Sequence, residues 1–341
     1  VAPGGIVDTA TFSTIITAPR VVTIDSDTTV GTLKFDSPIG YTIAGPHTLT
    51  LQAAGNAAAT INDSNVHGNG AHTISAPIAL ASNLNIVQNS GGMLHFTGPL
   101  NDSSAHSIIK SGSGTAEIAA APTLGANTTI TINGGTLRFA LASGSPTIAS
   151  GVSVVVNDSA TLELAGSDSA LAAGAVRASV LNNSIAAAGI RVSGTNQVVG
   201  PIDGSGATVV NSGSDLTANH IVQSALVIGG ASGSPALVTI AASDSSGNSL
   251  VLGFGDGGLN TQSGSTALGT SLVAAATAAD QLSTATDHSA SDFGSMTTAA
   301  NLNQTASAVP EPASIVSLAF GSAMFFAAAR RRRRRINRDA V

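Results

Sequence analysis

The sequence predicts an all-β chain: a right-handed parallel β-helix (β-solenoid), then a flexible linker and a single C-terminal transmembrane helix. Three observations predict it. Short runs of β-branched residues alternate with Gly, Asn, Asp and Ser turns along most of the chain. A strand motif recurs about every 21–22 residues, a spacing that belongs to stacked repeats. The chain also ends on an uncharged apolar stretch followed at once by a run of arginines. Composition agrees with a solenoid. The 341 residues are 43% hydrophobic but only 9% charged and 3% aromatic, with no Trp and no Cys. That much apolar content excludes ordinary charged disorder. Absence of Cys excludes a disulfide scaffold and a thiolate metal centre. A narrow stack filled by small aliphatic side chains needs few aromatics, because neighbour-on-neighbour contact replaces a globular core.

The repeat is read from the strands themselves. Gly31-Thr32-Leu33-Lys34-Phe35 returns as Gly92-Met93-Leu94-His95-Phe96 and as Gly135-Thr136-Leu137-Arg138-Phe139. Looser copies centre on Leu49, Ile74, Ala116 and Leu162. The triplets beginning at Asn62, Asn101 and Asn157 are expected at equivalent turns. A β-sandwich, or several small β domains, is the competing architecture. The body is expected over residues 1–283, clearest over 20–165 and degenerate over 166–260. Strand-like runs continue at Ile190–Val192, Thr208–Val210, Ala225–Ile228, Leu237–Ile240 and Leu250–Leu252. The Ala-rich stretch Ala170–Ala178 reads as a short helix or a loop. A second such stretch, Ala267–Gln281, is a candidate helical cap within 265–283, since an uncovered last coil is an exposed sheet edge. Residues 284–308 read as linker.

Charge divides the chain. Positions 1–329 balance to −12, and the last twelve residues to +6, so the overall −6 describes neither part. A basic nucleic-acid binder is not indicated. The chain opens on Val1 without an initiator Met, as expected of a mature or shortened form, so the missing leader says nothing about export.

The end of the chain, 309–341, carries the sharpest signal. Val309-Pro310-Glu311-Pro312 precedes Ala313–Ala329, seventeen residues without a charge, at the short end of what spans a bilayer. Ala313, Leu318, Phe320, Phe325, Phe326 and Ala329 mark this segment. Arg330, Arg331, Arg332, Arg333, Arg334 and Arg335 follow, with Arg338 beyond, and hold that end on the cytoplasmic side. Pro310 and Pro312 stop the helix from running back into the linker. The order of parts resembles a PEP-CTERM sorting signal. The resemblance implies export, processing by an exosortase-like membrane protease, transient residence in the inner membrane, and a final place at the cell surface or outside. A plain C-terminal anchor is the alternative. Gly134–Phe139 with Ile109–Thr115 upstream also resembles autotransporter-associated β-strand repeats, over roughly residues 20–165. Its uneven spacing departs from that pattern, and no β-barrel translocator follows.

Nothing assembles a catalytic constellation in the sequence. The expectation is a non-enzymatic structural or adhesive protein with no cofactor, facing extracellular polysaccharide. A β-helix polysaccharide lyase or hydrolase is the alternative, and it would need clustered carboxylates. Asp25 and Asp27 would share a strand face, and so would Asp63 and Asp102 if coils stack in register. The competing reading makes these turn and solvent-facing carboxylates. Gly253–Gly258 is faintly similar to Gly/Asp calcium repeats. His67, His72 and His95 lack zinc spacing, although His67 and His72 would meet around a turn.

Overall fold

The computed structural model describes residues 4–63, 70–89, 91–231, 234–241, 249–255 and 258–264. All belong to one compact unit, Val1–Ala278; the second unit, Ala279–Val341, lies outside the described residues. No described residue is in an α-helix.

Each coil visits three faces. The first sheet joins nine strands, from Thr9–Phe12 and Thr32–Phe35 to Ile202–Asp203. The second joins ten, from Arg20–Thr23 to Ala225–Ile228, and the third joins six, from Thr28–Val30 to Thr147–Ile148. Neighbours within these sheets pair in parallel with the matching strand one coil away. This is a parallel β-solenoid of about ten coils, one strand of the second sheet per coil.

Alternation places every second side chain inside, and register stacks those side chains in rows. One row of the second sheet runs Ile43, Ile74, Phe96, Ile118, Phe139, Leu164 and Val192, each of them buried. Each such burial contributes roughly 1.5–3 kcal/mol relative to exposure. Phe35, Phe96 and Phe139 are among the largest fully buried side chains.

Register corrects the sequence repeat. Leu94, Ala116, Leu137 and Leu162 do stack in one row of the second sheet. Leu33 lies in the first sheet and Leu49 in the third. Ile74 is in the second sheet but two positions out, because His72 is the residue paired with Leu94. The motif describes any strand with two inward apolar positions, and all three faces use such strands. Asn62 and Asn157 fall at one register position of the first face, where the amide of Asn157 donates to that of Asn133 at 3.0 Å. Asn101 sits within a strand of the third.

The inner rows contain polar guests, and these lie near corners. Lys110 stands between Ile86 and Ile132 in the first sheet, Asp102 between Leu80 and Leu124 in the third. At a corner the chain leaves the ladder and its backbone groups need other partners. The ammonium of Lys110 donates to the carbonyls of Ser111, Gly112 and Gly134 at 3.0, 3.0 and 2.9 Å. Gln197 Nε2 serves the carbonyls of Gly166, Asp168 and Thr195 in the same way. Such corners also require tight turns: Gly135 has φ +61, and a Cβ there would strike the carbonyl of Gly114.

The Ala170–Ala178 stretch is neither helix nor plain loop. Ala172–Ala173 and Val176–Arg177 form a small antiparallel hairpin. Buried Ala170, Leu171 and Ala178 anchor its base, and Gly174 at φ +59 makes its turn. The hairpin takes the place of a third-face strand in its coil. Beyond it a separate sheet begins, Gln197–Val198, Asp215–Ala218 and Ser234–Ala241 in parallel. Ser249–Gly255 and Gly258–Gly264 then continue that sheet antiparallel. The expected helical cap at 265–283 and the linker at 284–308 lie outside the described residues.

Lys110 gives a direct test. Burial pushes its ammonium down from 10.5 to about 8. Between these values the unfolded chain holds a proton that the folded chain has lost, so this residue's contribution to stability rises with pH across that window. In urea unfolding followed by circular dichroism, wild type should gain stability from pH 8 to 10 relative to Lys110→Met. At pH 7 the Met variant should be less stable by about 3 kcal/mol, because three carbonyls lose their donor.

Candidate functional site

Charged side chains are scarce, yet they gather on one row. On the outer side of the second sheet the register places Thr73, His95, Glu117, Arg138, Glu163 and Arg191 in line, one per coil. The chain has three Glu, and Glu117 and Glu163 are both here; the third is Glu311. His95 Nδ1 lies 3.1 Å from Glu117 Oε1. Arg138 bridges both carboxylates, with Nη1 3.3 Å from Glu117 and Nε 3.9 Å from Glu163. Ser193 Oγ donates to the other oxygen of Glu163 at 2.9 Å. The carboxylate side chains are 13% and 16% exposed and that of Arg138 34%. Opposite charges directly across parallel strands stabilise the pairing by roughly 0.2–1 kcal/mol each. Arg191 is exposed and ends the charged run.

The sequence repeat aligned the strands that carry this row, but it was read from their apolar positions and left the charged positions next to them unmarked. The pattern Thr-x-Glu/Arg-x at 115–118, 136–139 and 161–164 was the available signal. The carboxylate pairs that sequence did single out are not assembled. Asp25 and Asp27 sit in an exposed bend after Arg20–Thr23, not on a strand; Asp27 Oδ1 accepts the Thr48 N–H at 2.8 Å. Asp63 ends a strand of the first sheet and Asp102 one of the third, so the two do not stack. Both are buried, contrary to the solvent-facing reading. Asp102 accepts from Thr128 Oγ1 at 2.6 Å and from the Ser104 N–H at 3.1 Å, and lies 2.7 Å from His106 Nδ1.

His72 is inside the stack between Tyr41 and Leu94. Its Nδ1 accepts the Tyr41 N–H at 3.1 Å, and Phe35 stacks on the ring with centroids 4.6 Å apart. Burial lowers its pKa, against the pull of Asp63. His67 lies outside the described residues, and His95 belongs to the charged row. Among the described residues no three His, Asp or Glu gather at metal-ligand distance. Gly253–Gly255 belongs to an antiparallel pair with Gly258–Asn260, unlike the parallel coils of a calcium repeat.

Val309 to Pro312, the apolar segment to Ala329 and the arginines lie outside the described residues. Among the described residues no helix is long and apolar enough to cross a membrane. A solenoid body on a chain with this terminal order of parts defines a class, the exported repeat protein with a sorting tail. Residues 308–334 match the PEP-CTERM protein-sorting motif. The matched span contains Pro310-Glu311-Pro312, the uncharged segment and all of the arginine run but Arg335. It implies an exported protein that transits the membrane and is handled there by an exosortase. No curated protein and no solved structure matches the chain.

The charged row is testable through its sign alternation. Arg138→Glu places three carboxylates on successive coils. It should destabilise the body by roughly 2 kcal/mol at low salt, from two attractive contacts replaced by repulsive ones. The loss should shrink in 0.5 M NaCl, as expected for half-exposed charges. Thermal unfolding at the two salt concentrations measures it.

Proposed function

We propose that the protein is a non-enzymatic structural or adhesive component of the cell surface or extracellular matrix. Extracellular polysaccharide is its partner and an exosortase-like membrane protease its processing enzyme. The apolar segment Ala313–Ala329 holds it briefly in the inner membrane, with Arg330–Arg335 on the cytoplasmic side, until cleavage near Pro310-Glu311-Pro312 releases the body.

One observation carries the adhesive reading. Outside the charged row, the strand faces present hydroxyls and amides in register. The outer row of the third sheet runs Thr29, Thr50, Ala79, Asn101 and Thr123. A row of the first begins Thr9, Thr32, Thr60 and Asn85. Such rows repeat one weak hydrogen-bonding site per coil. A polymer engaging several at once gains through effective concentration what no single site supplies. The acidic body favours an uncharged polymer over a polyanion.

The second reading, a carbohydrate-active enzyme, rests on Glu117 and Glu163. They stand two coils apart, about 9.5 Å by strand spacing, near the upper separation of an inverting carboxylate pair. Arg138 between them pairs with both and favours the structural role. Loss of polysaccharide cleavage in Glu117→Gln would establish the enzyme instead.

Replacing Pro310, Glu311 and Pro312 by Ala should leave the protein membrane-bound and full length, whereas wild type is shortened at its C-terminus and released. Cell fractionation with mass spectrometry of the mature C-terminus reads both. Unchanged release would refute the sorting role and leave a plain anchor.

A further inference from the structure

The hairpin Ala172–Arg177, the segment 144–146 and Val198 border a cleft of about 420 Å³. Two charged side chains line it, Arg177 and Asp168. Both are half-buried, and they make no ion pair with each other. Arg177 is held from behind: its Nη1 donates to Asn219 Oδ1 at 2.8 Å, forty-two residues along the chain. Its other donors meet no acceptor among the described residues, and the carboxylate of Asp168 meets no donor there. Half-buried charges elsewhere among the described residues have partners; here a cation held by Asn219 and a carboxylate are left open to one space. The lining also carries the hydroxyls of Ser145 and Ser169 and no aromatic ring.

We infer that this cleft is a saccharide subsite that takes one or two units of an uncharged sugar chain. The inference rests on the polysaccharide-binding reading above and gives it a location. The volume falls in the range of small-molecule sites. A ligand of single charge would satisfy one of the two side chains and oppose the other. A sugar hydroxyl is both donor and acceptor, so adjacent hydroxyls satisfy the guanidinium and the carboxylate together. The planar Arg fork suits two neighbouring oxygens, and it is already oriented by Asn219, which limits the ordering cost of binding. Without an aromatic platform the site works by hydrogen bonds alone, which points to weak binding per site. Repetition along a polymer, together with the hydroxyl rows, then supplies retention. The hairpin is the feature that makes the site, because an ordinary third-face strand would leave a flat surface.

The test uses the full chain, purified in mild detergent, and titrates it with neutral tetrasaccharides of glucose, mannose and N-acetylglucosamine and with glucuronate oligomers. At least one neutral tetrasaccharide should bind with millimolar affinity and better than the glucuronate series. Arg177→Gln and Asp168→Asn should each weaken that binding about tenfold or more while leaving the thermal midpoint unchanged. Equal affinity in the variants, preference for glucuronate, or competition by a free amino acid would overturn the inference. A parallel co-sedimentation with the producing cells' own polysaccharide separates the two levels. If wild type and both variants sediment equally, the cleft is wrong and the adhesive reading stands. If wild type does not sediment, the adhesive reading falls and the subsite with it.

Discussion

The body depends on how its corners are closed. Along the strands each backbone group finds its partner one coil away, but the ladder stops where the chain turns from face to face. Backbone groups left over at a corner need another partner, and a buried one without it costs about 1–3 kcal/mol. The solution is to put a polar side chain at an inward position beside the corner. Lys110, Gln197 and Asn182 do this with an ammonium or an amide, and Asp102 does the converse for N–H and hydroxyl donors. This is why a stack of small aliphatic side chains contains a buried lysine. It also explains why a lysine there is no sign of catalysis: all three of its donors are committed to backbone.

The surface follows a complementary economy. A chain that is 9% charged places its two body glutamates and two of its arginines on one outer row, with Arg138 bridging its neighbours. The outer row of the third sheet and the positions Thr9, Thr32, Thr60 and Asn85 of the first stay uncharged and mostly polar, which suits hydrogen bonding to a neutral polymer. The exception is the hairpin at 172–177, where Asp168 and Arg177 stay open to the cleft.

Much of the fold could be read from sequence. β-Branched runs between turn residues located the strands, including those of the degenerate half, and the spacing of 94, 116, 137 and 162 gave true neighbours. Face assignment could not be read. A strand such as Gly31–Phe35 carries the same inward pair whichever face it occupies, and only the lengths of intervening corners decide. For the same reason Asp63 and Asp102 looked stackable when they belong to different sheets. Their burial was hidden too, because a short Asn-Asp-Ser run reads as a turn whether its carboxylate faces solvent or caps a corner from within. The hairpin was missed because a run of alanines favours helix, and Gly174 was the cue to a turn. The sorting motif at 308–334, by contrast, was visible, since it lies in linear order and not in packing.

The alternating row has a consequence for how such a chain can change length. Repeat proteins commonly grow and shrink by whole units. Where an outward row is uncharged, the loss of one coil sets no like charges together. Between His95 and Arg191 it would not: removing the coil that carries Arg138 sets Glu117 against Glu163, and removing that of Glu163 sets Arg138 against Arg191. Coils in this stretch can be inserted or deleted without penalty only in pairs. The row thus acts as a parity check, written in charge, on the number of units between its ends.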